Sequence, residues 1–136
     1  MATVISYSNP VTRSKEAIKA ISADTTLTAA DSGKIIMLDA IGEVITLPSP
    51  TAGVNFKFIC SATTATSNWT IVSATDVIYG SAQVAGAVIA ADAENTITLV
   101  VAKFLPGDWV SLVSDGTKWY VEGSVVTTVG LTFTAP

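Results

Sequence analysis

From Gly33 onward the chain breaks into short runs rich in Val, Ile, Thr and aromatic residues, each closed by Gly, Pro, Asn or Asp. Branched and aromatic side chains suit a pleated surface, and the closing residues suit turns, so this punctuation predicts a β domain. The predicted strands are residues 34–38, 43–47, 54–60, 69–73, 77–79, 83–90, 95–101, 108–114, 118–122 and 131–134. Turn chemistry separates them at Ile41-Gly42, Pro48-Ser-Pro50 with Ala52-Gly53, Thr66-Ser-Asn68, Pro106-Gly107 and Asp115-Gly116. The last is the sharpest local signal. Two residues that tolerate positive φ stand between Trp109-Val-Ser-Leu-Val113 and Trp119-Tyr-Val121, which predicts a tight hairpin.

Alternation within the runs assigns the faces. Ile97, Leu99 and Val101 fall on one side and Thr96 and Thr98 on the other; Phe56, Phe58 and Cys60 oppose Asn55 and Lys57. The polar faces carry Thr and Ser more than Lys and Glu. Charged residues make up 13% of the 136 positions, against about 25% in an average soluble domain, and apolar residues make up 49%. A surface built from small hydroxyls packs against a copy of itself without burying charge, so the composition points to an assembly subunit. The longest apolar stretch, residues 84–91, ends at Asp92 and is far short of the roughly 18 to 20 residues that cross a bilayer.

Helix signals are few. Thr28-Ala-Ala-Asp31 fits a single capped turn, with Gly33 ending it. Residues 13–21 place Ile18 and Ile21 three apart, a weak pattern compatible with a helix or a strand. Charge sets the beginning of the chain apart. Residues 1–20 hold Arg13, Lys15 and Lys19 against Glu16, a net +2 on a chain whose total is -4, which leaves -6 for the remainder. Thr3-Val-Ile-Ser-Tyr7 has strand-forming side chains ahead of the breaker Asn9-Pro10, so this arm is suited to adding as an edge strand to another protein, the bland alternative being a frayed terminus. The acidic remainder gives no electrostatic reason to bind nucleic acid or an anionic membrane.

Chemistry-bearing patterns are scarce. Histidine is absent, which removes the commonest metal ligand and the usual neutral-pH base. The one cysteine, Cys60, ends an apolar alternating run and reads as a buried structural thiol. Asp31, Asp39, Glu43, Asp76, Asp92, Glu94, Asp108, Asp115 and Glu122 are scattered, mostly at turns, and read as turn or cap residues. No phosphate-binding glycine pattern or calcium loop can be written, and no secretion signal opens the chain, so Asn68-Trp-Thr70 reads as a turn entering a strand. Trp69, Trp109, Trp119, Tyr79 and Tyr120 have the flat faces that stack on sugar rings, but Trp109 and Trp119 flank one hairpin and read more simply as core or intersubunit anchors. No catalytic residue, cofactor or metal ligand is expected.

The succession Leu27-Thr-Ala-Ala-Asp-Ser-Gly-Lys-Ile-Ile36, Ile45-Thr-Leu-Pro-Ser-Pro50, Ala52-Gly53, Phe56-Lys-Phe-Ile59, Gly107-Asp-Trp-Val110 and Ser114-Asp-Gly-Thr-Lys-Trp-Tyr-Val121 resembles the capsid decoration (head-stabilising, cement) proteins of tailed bacteriophages. It spans roughly residues 25–123. Similar strings also look like modules of phage tail fibres and other virion β proteins, so a tail fibre or spike module with a carbohydrate-binding option is the alternative. The resemblance implies a structural virion protein that is not an enzyme, made in the host cytoplasm. It would sit as a homotrimer on the outer capsid surface at threefold and local threefold positions. The major capsid protein would be its partner, touched by an N-terminal arm for which Thr3, Val4, Ile5, Tyr7, Arg13, Lys15 and Lys19 are the candidate contacts. The expected fold is all-β, a compact antiparallel sandwich or barrel-like domain over residues 23–136, with an extended arm over residues 1–22 and at most one short helical turn.

Overall fold

A computed structural model describes residues 15–64 and 66–135. Twelve strands form two packed sheets: β1 (Ile18–Ile21), β2 (Thr25–Thr26), β3 (Ile35–Leu38), β4 (Val44–Thr46), β5 (Asn55–Cys60), β6 (Trp69–Val72), β7 (Ile78–Val84), β8 (Ala87–Glu94), β9 (Thr96–Leu99), β10 (Trp109–Ser114), β11 (Trp119–Val125) and β12 (Leu131–Thr134). Among the described residues one 3-10 turn, Ala29–Asp31, accompanies them. The seven-stranded sheet runs β1-β3-β5-β10-β11-β7-β8 and the five-stranded sheet β12-β9-β6-β4-β2. Both sheets are open, so the all-β domain is a sandwich and not a closed barrel.

The pairing corrects the antiparallel expectation: the sheets are mixed. Through β6 the chain changes sheet at every strand. Each return to a sheet follows a round trip through the other, so the strand arrives pointing the same way as its predecessor. Hence β1, β3 and β5 are stacked in parallel, and so are β2, β4 and β6. The first half of the domain is three coils of a flattened solenoid. Hairpins enter only in the second half, at β7/β8 and β10/β11, and β11 lies parallel to β7.

Inward-facing rows build the core. Ile21, Leu38 and Cys60 line up across β1, β3 and β5, and Ile45, Ile71 and Ile97 across β4, β6 and β9. All six are buried. Phe56 sits between Phe58 and Trp119, with ring centroids 6.3 and 5.8 Å away, in tilted contacts favoured by aromatic quadrupoles.

One strand boundary differs from the sequence reading. The expected strand 83–90 contains a reversal: Ala85 and Gly86 take φ of +52° and +83° between the paired Val84 and Ala87, a two-residue hairpin loop. Alanine carries no left-handed signal, which is why the turn was invisible. Within the span expected as the arm, residues 1–22, the last part forms β1, which is hydrogen-bonded into the seven-stranded sheet. The Asp115-Gly116 hairpin is present with a wider loop than expected. Ser114 pairs with Trp119, residues 115–118 form the loop, and of the pair only Gly116 has positive φ, at +105°.

Candidate interaction surfaces

The 3-10 turn is organised by Asp31. This carboxylate accepts the Thr28 backbone N–H at 3.1 Å and the ammonium groups of Lys34 at 3.0 Å and Lys19 at 3.2 Å. The backbone donor, with help from the two lysines, holds its pKa down at about 2 against the opposing pull of burial. Lys19, placed among the capsid-contacting residues by its sequence position, is thus engaged in the body. Lys15 is exposed. Thr3, Val4, Ile5, Tyr7 and Arg13 lie outside the described residues.

The other chemistry-bearing side chains are structural too. Cys60 is buried, and its thiol donates to the Ala62 carbonyl at 2.9 Å; desolvation pushes its pKa up to about 11, so the nucleophilic thiolate is suppressed. Asp108 accepts the Leu105 and Val126 N–H groups at 2.9 and 3.3 Å, tying two loops together. Asp115 accepts from Thr117 N, Lys118 N and the Tyr120 hydroxyl, all at 2.8 Å, which drives its own pKa down and raises that of Tyr120. Among the described residues no three His, Cys, Asp or Glu side chains gather as a metal site.

The outer faces of the two sheets differ in chemistry. On the five-stranded sheet, register aligns Thr132, Thr98, Thr70 and Val44 in one row, and Thr134, Thr96, Val72, Thr46 and Thr26 in the next. Neither row contains a charge. Beside this face, β12 and β8 are the edge strands of their sheets and flank an apolar groove of about 420 Å³ lined by Val84, Ile89, Val129, Leu131 and Phe133. Residues 87–91 of β8 are uncharged throughout, and Val88 is 67% exposed. A long apolar edge without charge or proline is a template for pairing.

The outer face of the seven-stranded sheet carries Asn55 and Lys57 from β5, Trp109 and Ser111 from β10, Glu122 and Ser124 from β11, and Gln83 from β7. Of Trp109 and Trp119, read from sequence as core or intersubunit anchors, Trp119 is fully buried, as is Trp69, whereas Trp109 stands half-buried here with the Lys57 ammonium 4.8 Å from its ring centroid. Alternation separates the two classes once the strand registers are known. Compared with protein-family models, curated proteins and solved structures, the chain matches none.

Proposed function

We propose that this is a structural virion protein that assembles as a homotrimer, binds the outer surface of an assembled phage capsid at threefold and local threefold positions, and stabilises it. The observation that carries the reading is the uncharged Thr and Val face of the five-stranded sheet, continuous with the apolar groove between β8 and β12. Copies can cover such a face without stripping water from an ion, whereas leaving it and the β8 edge open invites indiscriminate association. The resemblance to decoration proteins supplies the site of action. A protein that binds only the mature lattice stabilises it by its binding free energy, and three linked arms acting together bind far better than one. In this reading the chain catalyses nothing and takes no cofactor, and the arm contacts the major capsid protein through Thr3, Val4, Ile5, Tyr7, Arg13 and Lys15. Lys19 contributes indirectly, by holding β1 to Asp31.

Electron microscopy of purified phage particles labelled for this chain tests the proposal. Label on the head surface at threefold positions is the expected result. Label confined to tails or fibres would overturn it in favour of a fibre or spike module.

A further inference from the structure

We propose that the outer face of the seven-stranded sheet holds a binding site for a neutral saccharide, centred on Trp109 and Glu122. β7 and β11 keep one register from Ile78–Trp119 to Val84–Val125, but the ladder pairing lapses in the middle, where Ser81 and Ala82 lie opposite Glu122 and Gly123. A depression of about 300 Å³ opens at that lapse, walled by Ser81, Gln83, Trp109, Glu122 and Ser124. Glu122 also borders a second, smaller hollow beside Tyr120, so the surface continues toward another aromatic ring.

The chemistry selects the ligand class. The accessible part of a half-buried indole offers a flat apolar surface that packs on the C–H face of a pyranose ring. The Lys57 ammonium lies 4.8 Å from the centroid of that indole, and the indole also lines the depression on the β11 side of β10. Beside the ring, a carboxylate can accept two vicinal hydroxyls, and the amide of Gln83 and the hydroxyls of Ser81 and Ser124 can both donate and accept, which suits sugar hydroxyls that do the same. Among the described residues none of these four side chains spends its polar atoms on a hydrogen bond or ion pair. The carboxylate disfavours phosphate and other anions, and the mixture of ring and hydroxyls exceeds what a simple apolar partner needs. The site lies on the sheet opposite the threonine rows, with Val88 of the β8 edge at its rim, so a trimer built through the outer face of the five-stranded sheet leaves Trp109 and Glu122 accessible.

Titration of the full chain with glucose, galactose, maltose and lactose, followed by tryptophan emission and amide chemical shifts, tests the site. Trp69 and Trp119 are fully buried, so an emission change reports Trp109. The expected result is saturable binding of at least one sugar in the millimolar range, with shifts clustered at residues 81–83, 109 and 122–124. Trp109→Ala should weaken it about tenfold or more, and Trp109→Phe less, because a ring remains. Glu122→Gln should weaken binding while leaving the melting temperature unchanged, which keeps the test valid if the tryptophan variants fold poorly. No saturable change with any of the four sugars, or shifts scattered away from this face, would overturn the proposal. So would dissociation of the assembly by Trp109→Ala, which would make the face a subunit contact.

Discussion

Lys19 Nζ donates to Asp31 Oδ1 across 3.2 Å, tying β1 to the turn that leads into β3, the strand on which β1 is stacked. With Lys34 on the same oxygen and the Thr28 N–H on the other, one nearly buried carboxylate closes the first coil of the solenoid.

Acid should therefore loosen this end of the domain. The folded pKa of Asp31, about 2, is below its ordinary value of 3.8. Its stabilisation is fully present above pH 4 and is lost as pH falls toward and through 2. With both lysine partners a third exposed, the contribution is discounted for solvent screening to about 1 to 2 kcal/mol. Thermal melts at pH 7, 4 and 2 should show Asp31→Asn less stable than the parent at neutral pH, with the gap closing by pH 2. A gap that persists unchanged at pH 2 would assign the loss to packing instead of ionisation.

At the β10/β11 hairpin, Gly116 takes φ +105°, while a Cβ there would meet only Ala52 at ordinary contact distances of 3.5 to 3.9 Å. The cost of a side chain is thus backbone strain and not collision. Gly116→Val should destabilise by roughly 1 to 3 kcal/mol in urea unfolding. An unchanged midpoint would show that the loop relaxes into another turn at no cost.

Much of the fold was legible because its signals are local. Strand alternation at Phe56, Phe58 and Cys60, the capped turn at Thr28 to Asp31 and the loop at Asp115 depend on residues a few positions apart. The mixed topology was not legible, because parallel pairing of β1 with β3 and β2 with β4 is decided by where the chain goes between strands and leaves no mark on either strand's own pattern. The residues that carry the family resemblance, such as Asp31, Asp115 and Trp119, set turns and core. The interaction surfaces rest on Thr98, Val88, Trp109 and Glu122, whose meaning appears only once register places them side by side.

The lysines near the arm should behave differently from one another. On the proposed capsid role, Lys15→Glu, at an exposed position, should weaken binding to assembled heads and make it less salt-sensitive while leaving the melting temperature unchanged. Lys19→Glu should lower the melting temperature, because it sets a second carboxylate against Asp31. Equal melting temperatures for the two variants would remove Lys19 from the body's stabilising contacts. A chain beginning at Lys15 should keep its assembly state and lose head binding in a co-sedimentation assay; full occupancy of heads by the truncated chain would put the contact in the β body.

Self-association through the five-stranded sheet is the claim on which the rest depends, and multi-angle light scattering at micromolar concentration measures it directly. A species of about three times the 14.0 kDa chain mass is expected. Thr98→Lys, which would bury an ammonium at the centre of the threonine rows, should yield a folded monomer. A parent protein that runs as a stable monomer, or a Thr98→Lys variant that remains fully trimeric, would contradict that claim.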